Sequence, residues 1–363
     1  MGDPRVSEEP AEVEATGNPA TDYALALLAG FVEAGVADIV VSPGSRSQAL
    51  ALAAAELERA GAARLHVRID ERVGGFLALG LTRETGAPTV IVTTSGTATA
   101  NLHPAVLEAH EAAIPMIVVT ADRPSELRGI RSNQTTRQDG LYGTVVRASH
   151  DVTAPVGADG EPEEARALAR SAVEEAVGAA TADPGPVHLN VGFREPLSVA
   201  VPPVGGLVRG ALPATAGPAA LGREVVELAG GPLTVVVAGA DAGAKAAELA
   251  RTGGYPLLAE VSSGARFGPE LVVAYRELLR DESFGGRVER AVVFGHPTLS
   301  REVPALLMRD DVEVLVVAPT GREAYNPGRR ARVVGVSGHP QASTCAALRC
   351  ARGSGAGSSR AGA

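Results

Sequence analysis

Short runs of valine, isoleucine and leucine recur along this chain, each bounded by glycine, proline or a Ser/Thr-rich turn and followed by a segment with helical spacing. Asp38–Val41, Arg64–Ile69, Pro88–Thr93, Pro115–Thr120 and Val187–Asn190 read as buried strands of a first unit. Between them lie helices over Tyr23–Ala34, capped by Thr21-Asp22, from the Ser42–Ser47 turn to about Arg59, from Glu71 onward, to about Ala112, and over about Glu163–Ala180. Leu233–Ala238, Pro256–Ala259, Ala291–Phe294, Val312–Val317 and Arg332–Val336 repeat the pattern. Apolar strands alternating with helices form a parallel sheet covered on both faces. The fold class expected is therefore α/β, with two doubly wound parallel-sheet domains.

The punctuation sets the domain limits. Residues 1–17 are acidic with prolines at 4 and 10 and read as a disordered leader, 18–195 as the first domain, and 196–217 as an extended linker over the surface. Residues 218–345 read as a central domain and 346–363, almost devoid of hydrophobic pattern, as a disordered tail. Length alone allows this, since 363 residues make two or three domains.

Charge and cysteine content narrow the partners. A net charge of -9 argues against nucleic acid or an anionic membrane as the general partner. Cys345 and Cys350 have no second pair with which to form a metal site, which suggests a reducing compartment. With no long apolar stretch and no signal peptide, the expected location is the cytoplasm. Of the 33 basic residues only Lys245 is a lysine, so nearly every cation is a guanidinium, which leaves anionic small molecules open as ligands.

Ligands in doubly wound sheets bind at the carboxyl ends of strands. Four turns fall at that edge: Ser42–Ser47, Asp70–Arg72, Thr94–Asn101 and Ala121–Pro124. Small residues in two of them let backbone amides approach a ligand. Glu71 opens a helix that continues through Val73–Leu81, a stretch too apolar and glycine-rich to be expected to face water. A carboxylate drawn into such a pocket can hold or pass a proton near neutral pH; equally, an acid in a first helical turn only complements the dipole. Arg46 and Arg123 stand at strand exits, where guanidinium forks bind carboxylates, although surface ion pairs would place arginines there too. Gly239–Gly243 lacks the full dinucleotide fingerprint. His103, His110 and His188 read as packing residues.

Taken together, Ser42–Ser47, Asp70–Arg72, Thr94–Asn101, Thr120–Pro124 and Asn133–Thr135, with Gly295–Arg301 further on, resemble one family. It is the thiamine-diphosphate-dependent succinyl-enolpyruvyl-hydroxycyclohexene-carboxylate synthase family of menaquinone biosynthesis. The resemblance implies a pyrimidine-binding domain and a central domain, with a cofactor shared between subunits of at least a homodimer. It implies thiamine diphosphate with Mg2+ or manganese as cofactors, and 2-oxoglutarate and isochorismate as substrates. By the same resemblance Glu71 hydrogen-bonds the pyrimidine nitrogen and is catalytic, and Ser95, Gly96 and Thr97 also line the cofactor. Ser45, Arg46, Arg123 and Gln134 would line the isochorismate side.

The family's Gly-Asp-Gly motif, which holds the metal and diphosphate, does not occur in this sequence. No metal ligand is therefore assigned. The expectation is half of a two-sided site, which releases no CO2 by itself and exposes apolar surface prone to association. Two other readings stand beside the synthase: a non-catalytic α/β module of the same family, and another thiamine enzyme such as an acetolactate synthase, which shares the glutamate but not the Ser45-Arg46 and Asp122-Arg123 pairs.

Overall fold

The computed structural model describes residues 15–336 except 227, 229 and 322. Residues 1–14 of the expected leader, the expected tail 346–363, and both cysteines lie outside the described residues. The described chain gathers into two compact units, one reaching Leu221 and counting Thr320 and Gly321, the other beginning at Gly222.

The first unit runs α1 (Pro19–Glu33), β1 (Asp38–Val41), α2 (Gln48–Arg59), β2 (Arg64–Val67), α3 (Glu71–Thr85), β3 (Thr89–Thr93), α4 (Thr97–Asn101), α5 (His103–Glu111), β4 (Met116–Asp122), β5 (Ala148–Val152), α6 (Glu161–Val177) and β6 (Val187–Gly192). Its six strands lie in the order β2-β1-β3-β4-β6-β5, all parallel. The central strands are wholly buried because successive residues feed opposite cores. Ile39, Val90, Val92, Ile117 and Val119 pack with α1, α2 and α6, while Val40, Ile91, Met116 and Val118 pack on the other face with α3, α5 and Tyr142. This double burial is why the strands read as continuous apolar runs rather than as alternation.

Three local expectations need correction. The first helix is capped by Asn18, whose Oδ1 accepts from the Thr21 N–H at 2.8 Å and the Thr21 hydroxyl at 2.9 Å, and not by Thr21-Asp22. The Arg64–Ile69 strand is an exposed edge, with Val67 50% and Ile69 82% accessible. Arg64 and His66, two residues apart, share a face of β2 and both reach Asp38 on β1. Burial opposes ionisation of Asp38, but these bonds hold its carboxyl below the usual range.

Third, α3 hides only part of its apolar stretch: Leu77, Leu79 and Leu81 pack partly buried against the core, but Val73 and Phe76 do not. Gly74, Ala78 and Thr82, spaced by four, form the stripe that meets the sheet, so Val73 and Phe76 remain 53% and 42% exposed. Total apolar content suggested burial, but the helical stripe, made of small residues, decided which face turned inward. Strand β5 was missed for a related reason. Its Ala-Ser-His-Asp-Val sequence has no apolar run, and it pairs on one side only.

Residues 196–217 contain no helix or strand and are tied to the first unit: the Val199 N–H donates to Thr21 Oγ1 and the Val204 N–H to Glu56 Oε1. The second unit contains β7 (Val225–Val226), β8 (Thr234–Ala238), α7 (Gly243–Gly253), β9 (Leu257–Ala259), α8 (Tyr275–Arg280), β10 (Arg290–Phe294), α9 (Glu302–Leu307), β11 (Glu313–Val317) and β12 (Arg332–Val336). Its parallel sheet has the order β7-β12-β11-β10-β8-β9. Val236, Val292 and Leu315 face one core, and Val235, Val293 and Val314 the other.

Candidate functional site

In the first sheet the strand order reverses between β1 and β3, so the turns leaving these two strands flank a topological switch point. They are in contact. A Cβ at Gly44 would lie 2.4 Å from Thr94 Cβ, so only glycine lets the Ser42–Ser47 turn close on the Thr94–Thr97 turn. Gly96 has φ 85° and ψ -141°, a conformation open to glycine, and its N–H faces inward to the Gln138 side chain at 2.9 Å.

Both arginines reach this edge. Arg123, 9% exposed, donates through Nη1 to Ser95 Oγ at 2.7 Å and to the Gln134 carbonyl. Arg46 donates from Nη1 to the Phe193 carbonyl at 3.0 Å, and its nearest carboxylate is that of exposed Glu195 at 4.0 Å. Burial, with the positive charge of Arg123 nearby, holds Arg46 below the usual guanidinium range. The hydrogen-bond acceptors of both guanidinium groups are neutral, so the local positive charge is available to an anion.

The remaining expected residues are less uniformly placed. Glu71 is the first residue of α3 after the Asp70 cap, and it is half-buried rather than enclosed, because β2 before it is an edge strand. Its Oε2 lies 3.4 Å from Asn101 Nδ2, which links it to the helix that Thr97 begins. Ser95 and Gly96 are buried, Thr97 is exposed. Gln134, at φ 51°, spends its amide on the Ser95 carbonyl at 3.1 Å. Ser45 is exposed, and its carbonyl accepts from the Gln48 N–H at the start of α2.

Residues 21–160 match the family model described as "Thiamine pyrophosphate enzyme, N-terminal TPP binding domain". Three curated relatives, all named 2-succinyl-5-enolpyruvyl-6-hydroxy-3-cyclohexene-1-carboxylate synthase, extend the likeness into the second unit. The protein from Leifsonia xyli is 73% identical over 92% of this chain, that from Clavibacter michiganensis 56% over 90%, and that from Kineococcus radiotolerans 50% over 87%. Residues 21–160 thus belong to the N-terminal TPP binding domain family of thiamine pyrophosphate enzymes. It spans 57, 55 and 58% of the lengths of those three relatives.

In this TPP binding domain a buried polar network that sequence reasoning missed underlies the site. Asn190 on β6 is fully buried and makes four hydrogen bonds, accepting from Thr120 Oγ1 and Gln138 Nε2 and donating to Asp122 Oδ2 and Asp151 Oδ1. The Asp122 carboxylate also takes the Arg123 N–H at 2.7 Å and lies 3.1 Å from Arg128 Nε. The available signal was the polar Thr120, Asp122, His188 and Asn190 at alternate positions of two apolar strands, which on buried strands demand partners.

His188 joins the same network. Thr120 commits its hydroxyl proton to Asn190 Oδ1, so His188 Nε2 donates to Thr120 Oγ1 at 2.8 Å and Nδ1 faces Ser149 Oγ at 3.3 Å. The ring stands edge-on to Tyr142, 4.8 Å between centroids, and burial pushes its pKa from 6.5 down to about 4. Between those values the unfolded chain binds a proton that the folded chain refuses, so stability is lost as pH falls through this window. The loss approaches ~3 kcal/mol. Urea midpoints between pH 7 and pH 4 are therefore expected to fall less steeply in His188→Gln than in the parent. Equal slopes would show that His188 titrates normally.

The switch point of the second unit lies between β8 and β10, beside Gly239–Gly243. There Glu260, 2% exposed, accepts the N–H groups of Thr298 and Leu299 at 3.0 and 2.8 Å. The protein's own carboxylate thus takes amides that a phosphate would need. Among the described residues no group of three or more His, Cys, Asp or Glu side chains is placed to hold a metal ion. No described helix is long and apolar enough to cross a membrane.

Proposed function

We propose that this chain supplies the pyrimidine-side and isochorismate-side half of a 2-succinyl-5-enolpyruvyl-6-hydroxy-3-cyclohexene-1-carboxylate synthase. The observation that carries the reading is the pair Arg46 and Arg123, hydrogen-bonded to neutral groups and converging at the switch point of the first sheet. A dicarboxylate there would gain charge-assisted hydrogen bonds from both forks without breaking an internal short ion pair. The names of the relatives support this over an acetolactate synthase.

Glu71 fits the thiamine ring as its partner. It stands at the rim of the same edge, with Asn101 as its described hydrogen-bond partner, and Ile69, Val73 and Phe76, near it in sequence, are exposed. Bound there, thiamine diphosphate would supply the acidic carbon that adds to 2-oxoglutarate and stores the electrons released with CO2. The role of Glu71 would be to hold a proton against the pyrimidine nitrogen, while Ser95 and Gly96 shape the wall behind it and Thr97 faces the ring. Ser45 and Gln134 would border isochorismate. Mg2+ and the diphosphate would be held by groups other than those described. A second copy packing on the exposed apolar residues of α3 would exclude water from the proton contact.

Calorimetric titration of the chain with isochorismate tests the first half of this reading, and saturable binding that is lost in Arg46→Met is the expected result. CO2 release from 2-oxoglutarate with thiamine diphosphate and Mg2+ present tests the second. Release catalysed by any assembly containing this chain is expected to fall by at least ~100-fold in Glu71→Gln. Release that persists in that variant would remove Glu71 from the chemistry.

A further inference from the structure

We infer that Gln138 is a positioning residue that seats the Gln134 turn against Arg123 and so sets the shape of the isochorismate subsite, an inference that rests on the reading just given. Gln138 is 1% exposed, in a segment without helix or strand between residues 128 and 142. Its side chain reaches three separate elements. Oε1 accepts from the Gly96 N–H at 2.9 Å, and Nε2 donates to Asn190 Oδ1 at 2.8 Å and to the Ala121 carbonyl at 3.2 Å. One amide group therefore pins the turn before α4, the end of β4 and the middle of β6 to the same point.

Four residues earlier the chain bends at Gln134. The Gln134 carbonyl accepts from Ser95 Oγ and Arg123 Nη1, and its side chain donates to the Ser95 carbonyl. Asn133, Gln134, Thr136 and Arg137 are exposed, so little packing fixes this turn. Gln138, the buried residue of that stretch, supplies the anchor. Among the described residues the Arg123 guanidinium has no hydrogen bond other than those to Ser95 and Gln134. Where Gln134 sits thus decides which way the rest of the fork faces. If Gln138 lets go, the carbonyl that aims Arg123 is no longer fixed, and the Gly96 N–H loses its acceptor.

The test uses the full chain, with isochorismate as the titrant and the Gly96 amide resonance as a local reporter. Gln138→Met is expected to weaken isochorismate at least tenfold and to shift the Gly96 resonance in 1H–15N spectra. Leu28→Ala, a core truncation in α1, is the control for general destabilisation and is expected to retain parent affinity while its urea midpoint falls. Should Gln138→Met fail to fold, Gln138→Glu retains an acceptor for Gly96 but, ionised, has no donor for Asn190 and Ala121, and the same tenfold weakening is expected. Parent-like affinity in a folded Gln138 variant, or equal weakening in Leu28→Ala, overturns the inference alone. A parent chain that binds no isochorismate overturns the substrate reading and takes this inference with it.

Discussion

Arg123→Met is expected to weaken isochorismate binding by about 30-fold while changing the stability of the first unit by less than ~1 kcal/mol. Methionine keeps much of the apolar stem and removes the fork. Hydrogen bonds to charged groups contribute ~1.5–3 kcal/mol, equivalent to roughly 10- to 150-fold in affinity. Removing a cation beside Arg46 relieves repulsion in the free protein, which offsets part of the lost packing. The partners left behind remain satisfied, because Ser95 Oγ already donates to the Gln134 carbonyl at 3.0 Å. Calorimetric titration alongside urea unfolding separates the two quantities. Unchanged affinity would show that the two arginines do not act as an anion site, whereas lost affinity with a large fall in stability would mark Arg123 as structural.

Asn190→Leu is expected to do the opposite and destabilise the first unit by about 4 kcal/mol. Leucine is close in volume, so the cost is not a cavity. It comes from depriving the buried Asp122 carboxylate of one donor and Gln138 and Thr120 of their shared acceptor, at zero accessibility. Each such orphan costs ~1–3 kcal/mol, more where the group is charged. Circular dichroism in urea measures the loss directly. A cost under ~1 kcal/mol would mean that water enters and replaces the amide, and that the network is looser than its distances indicate.

Strand and helix order was legible because each central strand is buried on both faces, and that demand leaves an unbroken apolar run in the sequence, as in Val90–Val92 and Ile117–Val119. The placement of Arg46 and Arg123 at the sheet edge was legible because each lies in or directly after a strand exit, and ligands of such sheets bind at that edge. The edge elements were not. Arg64–Val67 looks like a core strand until one knows that it has a neighbour on one side only, and Ala148–Val152 looks like a loop for the same reason.

Glu71 shows the same division at the site. Its place at the start of a helix was legible from the change of strand to helix pattern, and the structure adds Asp70 as the cap, accepting from the Arg72 and Val73 N–H groups. Its exposure did not follow, because that depends on which elements cover the sheet edge.

What the sequence determined by itself was the α/β class, the parallel alternation and the set of polar turns, since periodicity and turn chemistry are properties of neighbours along the chain. Only the tertiary structure decided which turns touch, that Gly44 closes on Thr94, and that Gln138 bonds residues 42 and 52 positions away. Hydrogen bonds across such separations depend on distances set by strand order and register, and a single sequence encodes those only through the packing of the whole unit.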